Sequence, residues 1–297
     1  MILVVGATGL LGGEICRQLA AAGHPIRALV RPTSAPDRLE AVRATGADMV
    51  VGDLLDRSSL NAACAGVSAV VSTATTILSQ RSSDSIAGVD EAGQLELIGA
   101  ASAAGANQFI YLSVSANFDV ESPLHTAKRR VEQALRASGV MYTILRPSAF
   151  MEVWLGPALG FDYLGRTATI YGDGERAISW ISLNDVARFA VGCVDNPRAA
   201  NATVELGGPE PLSGRDVVRI FEQVGGKPFA THIVSEMELE AQWSAAQAPV
   251  QKSFAALLLG LSRGDEIAVE RAQRVFPVSL ISVADYAAGV YQRDYKE

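Results

Sequence analysis

The sequence predicts an α/β fold: a doubly wound parallel sheet over roughly the first half of the chain, then a smaller, loop- and helix-rich lobe. Three observations predict it. Short, continuous apolar runs recur, as strands buried on both faces require. Helix-period segments separate them, which implies right-handed parallel crossovers. A glycine-rich turn, Gly6-Ala7-Thr8-Gly9-Leu10-Leu11-Gly12, joins the first run to the first helix.

Taken in order, residues 2–5 are a β-branched strand, and residues 10–22 place Leu11, Ile15, Leu19 and Ala22 on one helical stripe. Gly23-His24-Pro25 breaks that helix. An apolar strand over 26–30, a helix over 36–45 and a strand over 48–51 follow. Residues 58–65 read as a helix capped by Asp56 or Ser58. The strand at 67–71 precedes a long Ala-rich helix over 87–104. Next come a strand at 109–114, a helix at 126–137 and a strand at 142–145 that stops at Arg146-Pro147. Beyond it the pattern loosens. Residues 150–174 mix glycines, aromatics and Met, residues 178–195 regain a regular pattern, and 201–206 offer one more strand. From Pro209 the chain is mostly helical. The expected organisation is a dinucleotide-binding domain over 1–150 with return segments at about 178–207, and a substrate lobe over 151–177 and 208–297.

Composition narrows the function. Of 297 residues 49% are hydrophobic and 19% charged, which excludes a disordered chain. The net charge of −7 argues against a general nucleic-acid binder. Three widely spaced cysteines, Cys16, Cys64 and Cys193, make neither a disulfide framework nor a zinc ribbon, so no metal is expected. The N-terminus lacks a basic leader region, and the apolar run 254–261 is far shorter than the ~20 residues of a membrane span. A cytoplasmic protein acting on a small molecule, away from membranes and nucleic acid, is the expectation. A homo-oligomer stays open, because periodicity does not separate interface from core.

The glycine turn carries the chemistry. Gly6 permits a sharp bend, Gly9 lets a pyrophosphate approach the backbone, and Gly12 lets the helix sit close to the sheet. With Thr8, the amides of Leu10 and Leu11 at the helix start offer donors and a positive dipole end to phosphate. This is a Rossmann-type dinucleotide site. Arg31 stands 19 positions beyond Gly12, where an NAD site would place an acid. A guanidinium fork there matches a 2′-phosphate and points to NADP(H); the alternative is a solvated surface Arg. Asp53, with Leu54 beside it, either accepts from the adenine amino group or caps a loop. Thr73, Ala74 and Thr75 are small enough to let the cofactor cross the sheet edge, or form a plain loop.

These residues resemble an atypical short-chain dehydrogenase: Gly-Ala-Thr-Gly-Leu-Leu-Gly, Val30-Arg31-Pro32, Gly52-Asp53-Leu54 and Tyr111-Leu112-Ser113. The stretches 127–135 and 142–147 are similar to the NmrA-like group, which includes isoflavone-reductase-like enzymes, quinone reductases and redox-sensing regulators. The likeness is strong to about Phe150 and weak beyond Pro209. Ordinary members of the wider family pair a Tyr with a Lys four residues later. Here Lys128 is present and Leu124 stands in the place of the Tyr. The resemblance implies that Lys128 binds the nicotinamide ribose and helps a proton move.

Without a phenol, ketone reduction lacks its acid, whereas a quinone or conjugated double bond spreads charge and manages with a weaker donor. His125 is the best remaining donor by ordinary pKa, or else a helix-terminal His with no role. Ser113 or Ser115 orients the substrate, and the sequence does not choose between them. By resemblance Pro147 lies beside the nicotinamide, and Phe150, Met151 and Trp154 either wall the substrate pocket or pack the second lobe. His24 and His232 receive no role. The leading expectation is an NADPH-dependent reductase of a quinone or activated double bond. The alternative is a non-catalytic NAD(P)-binding redox sensor.

Overall fold

The computed structural model describes residues 1–77, 81 and 84–294. Along the chain it forms β1 (Ile2–Val5), α1 (Leu10–Ala21), β2 (Ile26–Val30), α2 (Pro36–Arg43), β3 (Asp48–Val51), α3 (Arg57–Cys64) and β4 (Ala69–Ser72). A π-helix, Ile86–Gly93, then runs directly into α4 (Gln94–Ala103). After it come β5 (Gln108–Leu112), α5 (Pro123–Ala137) and β6 (Met141–Pro147). The later part holds α6 (Met151–Trp154), β7 (Phe161–Asp162), β8 (Thr167–Tyr171), β9 (Ala177–Ile178), α7 (Leu183–Gly192), β10 (Ala202–Leu206), β11 (Leu212–Ser213) and α8 (Gly214–Gly225). It ends with β12 (Ala230–Val234), α9 (Glu236–Ala245), α10 (Pro249–Arg263), α11 (Glu270–Val275) and α12 (Val283–Asp294).

The main sheet has the order β10-β6-β5-β4-β1-β2-β3. Every pairing from β3 to β6 is parallel, with β1 between β2 and β4. The strand order reverses there, which opens a crevice at the carboxyl ends of β1 and β4. Core strands are largely apolar because helices cover both faces: Ile2–Val5 and Gln108–Leu112 are buried at every position, and the Gln108 amide donates to the Cys193 carbonyl. Leu3, Leu60, Leu97, Phe109 and Tyr111 meet in one core. Each fully buried Leu, Ile or Phe contributes about 1.5–3 kcal/mol.

The chain divides into two compact units. The first takes residues 1–113, 123–146 and 186–204; the second takes 114–122, 147–185 and 205–297. The sequence places the return segment at about 178–207, but the part that packs with the first unit is 186–204, and the loop 114–122 after β5 packs with the second unit. Periodicity does not reveal which unit a loop joins.

The second unit carries a three-stranded sheet, β12-β8-β7, and a two-stranded one, β11-β9. Its core is aromatic, with Phe161 and Phe221 edge to face at 4.7 Å. Ser213 and Asp216 form a capping box that starts α8. Among the described residues no helix is long and apolar enough to cross a membrane.

Two local expectations change. The helix expected over 87–104 begins as a π-helix, Ile86–Gly93, and becomes α only at Gln94. The helix expected from residue 126 begins at Pro123, which places Leu124 and His125 in its first turn.

Candidate active site

The sequence-selected residues fall cleanly between the two units. Gly6, Thr8, Gly9, Leu10, Leu11, Gly12, Arg31, Asp53, Leu54, Thr73, Ala74, Thr75, Ser113, His125 and Lys128 lie in the first, and Ser115, Pro147, Phe150, Met151 and Trp154 in the second.

In the first unit the β1–α1 turn is held by Gly9 N–H donating to the Gly6 carbonyl at 2.9 Å. Gly6 has φ +86°, open to glycine and strained for other residues. A Cβ on Gly12 would stand 2.1 Å from the Gly6 carbonyl oxygen, so only glycine fits. Gly9 is the N-cap of α1 and makes no side-chain cap, which leaves the amides at the helix start for a ligand. Thr73 and Ala74 close against Gly6, and Thr73 donates its N–H and hydroxyl to the Val5 carbonyl. Thr75 is exposed. Leu10 is exposed and Leu11 half-buried.

Arg31, at the end of β2, directs Nη1 at both carboxylate oxygens of Asp84, each 3.0 Å away. Arg38 on α2 donates to the Thr8 carbonyl at 3.3 Å and adds a second guanidinium at the glycine turn. Neither Asp84 nor Arg38 stands out in the sequence, because no spacing rule ties them to the turn. Asp53 accepts from the Leu55 N–H, and its own N–H donates to Ser59 Oγ, so its position is fixed as a loop anchor. Leu54 is buried and packs against Gly93 at the end of the π-helix.

Lys128 is 5% exposed. Its Nζ donates to the Leu112 carbonyl at 3.3 Å, lies 3.7 Å from Asp90 Oδ1 and sits 5.1 Å from the centre of the Tyr111 ring. Burial pulls its pKa down, while the nearby Asp90 charge pulls it up. Leu124 is buried on the same helix. His125 Nε2 accepts from Arg129 Nε at 3.3 Å, which places the ring proton on Nδ1.

Ser113 donates its hydroxyl to Glu132 Oε1 at 2.6 Å. Glu132 also receives Arg129, Arg136 and Arg146. Burial pushes its carboxyl up, but hydrogen bonds from Arg146 and Ser113 and the charges of Arg129 and Arg146 outweigh it and hold the group at about 2. The Ser113 hydroxyl is thus committed to an interior network centred on an ionised carboxylate. All three cysteines are buried and free, and burial pushes the Cys16 thiol up to about 12, so it is no nucleophile.

In the second unit Ser115 is fully buried and donates to Asp265 Oδ1 at 2.7 Å, where Asn117 Nδ2 also donates at 2.9 Å. Burial raises the Asp265 pKa against the hydrogen bonds that lower it. Pro147 is buried at the end of β6, and its carbonyl accepts from the Ser115 N–H at 3.2 Å. Phe150 bridges to Ile181, and Met151 is fully buried in the aromatic core. Trp154 is half-buried and stacks on Phe254. It borders an apolar pocket with Tyr171, Trp180, Val217 and Leu261, where Arg176 is the one charged lining residue.

The NmrA-like family model matches residues 1–258. A Streptomyces griseus relative, (4-alkanoyl-5-oxo-2,5-dihydrofuran-3-yl)methyl phosphate reductase, is 34% identical over 86% of this chain and 84% of its own. The NAD(P)H azoreductase of Xenophilus azovorans is 30% identical over 77% of this chain and 75% of its own. In fold, the chain is similar to an NADPH-dependent quinone oxidoreductase from Escherichia coli solved with NADPH: TM-score 0.79, 22% identity, 98% of this chain and 100% of that one.

Proposed function

The chain belongs to the NmrA-like family, and from that premise we propose that it reduces a flat, conjugated small molecule, a quinone or an activated double bond, with NADPH. It is an NADP(H)-dependent oxidoreductase. Its relatives include reductases of an oxo-dihydrofuran phosphate and of azo compounds, which supports a conjugated acceptor.

The cofactor fits the residues present. The glycine turn packs so tightly that a Cβ at Gly6 would strike Thr73 and one at Gly12 the Gly6 carbonyl, and the turn ends on open helix amides. Those amides would hold the pyrophosphate, and Arg31 the 2′-phosphate. When bound, the reduced nicotinamide supplies the hydride. The chain's own work is to align, exclude water and provide a proton. Lys128 is the group for the last task, since a buried ammonium holds a proton in a low-dielectric site and gives it up more readily than one in water. The lining beside Trp154 has the apolar character a flat molecule needs, in a cavity of about 40 Å³ that would have to widen to admit one.

The observation that carries the choice of acceptor is position 124. Buried Leu124 on the helix of Lys128 stands where ketone reductases of the wider family carry their Tyr, so the phenol they use as acid is missing from that position. Purified protein mixed with NADPH should therefore oxidise it in the presence of quinones, enones or azo compounds, and not with simple ketones. The near-ultraviolet absorbance of the reduced cofactor reports this. Tight NADPH binding with no turnover by any acceptor would replace this reading with the sensor.

Arg31→Ala should weaken NADPH about tenfold or more and leave NADH nearly unchanged, since one charged contact is worth about 1.5–3 kcal/mol. Asp84 adds to the loss. Its side chain is 7% exposed, and removing Arg31 takes away a cation that offsets its charge near the 2′-phosphate. Calorimetric titration of both cofactors measures it.

A further inference from the structure

We propose that Asp90 is the positioning residue of Lys128: a buried carboxylate, fixed by Thr76, that keeps the Lys128 ammonium charged and aimed. This rests on the reading that Lys128 acts in the reduction.

The geometry is specific. Asp90 sits on the π-helix Ile86–Gly93 and is fully buried. Its Oδ2 accepts from both the Thr76 N–H, at 3.0 Å, and the Thr76 hydroxyl, at 2.6 Å. Two bonds from one residue stop the carboxylate from rotating. Its Oδ1 makes no hydrogen bond and lies 3.7 Å from Lys128 Nζ. That is an ion-pair distance, long for a hydrogen bond. A buried oxygen left without a hydrogen bond is costly unless something else depends on it. Here the return is a fixed negative charge next to a buried ammonium. The π-helix is itself the kind of irregularity that collects at functional sites.

Among the described residues, the charged and titratable groups around Lys128 come from three elements. Asp90 comes from the π-helix and Tyr111 from β5, where burial holds the phenol neutral. Glu132 and Arg129 come from α5 itself. Glu132 is shared among Arg129, Arg136, Arg146 and Ser113, so its pull on Lys128 is weakened. Asp90 is the carboxylate with the larger hold on Lys128, ahead of Glu132. Without it, desolvation opposed only by the weaker pull of Glu132 would drive the ammonium to lose its proton at a lower pH. The three N–H groups of Lys128 divide as well. One is spent on the Leu112 carbonyl, and the pull of Asp90 helps hold the ammonium against that carbonyl and the Tyr111 ring.

The chain has four lysines, Lys128, Lys227, Lys252 and Lys296, so lysine-labelled NMR of the cofactor-free protein resolves each titration, with Lys128→Met as the assignment. In Asp90→Asn, Lys128 should titrate about one to three pH units lower, as expected when an opposite charge this close is removed. The alkaline limb of kcat/KM should move down by the same amount. Thr76→Val, which frees the carboxylate from its hydroxyl partner, should shift both in the same direction by less. It keeps the test alive if Asp90→Asn does not fold. A Lys128 titration and alkaline limb that stay in place in these variants, in an enzyme that Lys128→Met inactivates, overturn the positioning role alone. Full turnover by Lys128→Met overturns the functional reading, and the positioning role with it.

Discussion

Gly12→Ala is expected to abolish tight NADPH binding and to lower Tm by several degrees. The added Cβ would stand 2.1 Å from the Gly6 carbonyl oxygen, where no side-chain rotation relieves the clash because both groups belong to backbone. Either α1 moves away from the sheet or the turn opens, and overpacking of this kind costs about 1–3 kcal/mol. Both movements misplace the amides that would hold the pyrophosphate. Gly13→Ala is the control. Its Cβ would meet the Ala7 carbonyl at an ordinary 3.4 Å, and alanine in a helix is better than glycine by about 1 kcal/mol. Calorimetry and thermal melts on the pair check the argument. Wild-type NADPH affinity in Gly12→Ala would remove the glycine turn from the site.

Lys128→Met should lower kcat/KM by about 10²–10⁴, the range for loss of a positioned proton-transfer group. NADPH should still bind, more weakly, since the glycine turn and Arg31 are untouched. The melting temperature should fall, because Asp90 would be left buried beside no cation. Methionine fills the same volume, so the core around Leu112 and Tyr111 stays packed. Steady-state kinetics with the best acceptor, alongside cofactor titration, separates lost chemistry from lost binding. A variant that turns over as the wild type does would place the proton source elsewhere, with His125 the next group to test.

Much of the fold could be read directly from the chain. The strands at Ile26–Val30 and Asp48–Val51 match expectation residue for residue: the first is a nearly buried run inside the sheet, and the second, at the sheet's edge with its ends exposed, still carries the apolar run Met49-Val50-Val51. The Gly6–Gly12 turn was legible for a steric reason: a positive φ at Gly6 and the close approach at Gly12 each demand glycine. Leu124 was legible as an absence, four residues before Lys128. The π-helix was not, since the segment is as apolar and Ala-rich as an ordinary helix and its extra residue per turn leaves no mark on composition.

The partners of the site residues were not legible either. Arg31 meets Asp84 across 53 residues, and Ser113 meets Glu132 across 19. Ser115 and Ser113 look alike in sequence, yet one hydroxyl goes to Asp265, 150 residues away, and the other to Glu132. The chain by itself determined the architecture and the shape of the glycine turn, because these follow from local sterics and from the periodic burial of apolar groups; Lys128 was picked out by the resemblance of the stretch around it. Only the folded structure decided which carboxylate faces which cation, because a charge in a dry interior answers to whatever lies within a few ångströms, and nearness in space is not written in the spacing of residues along a strand or helix.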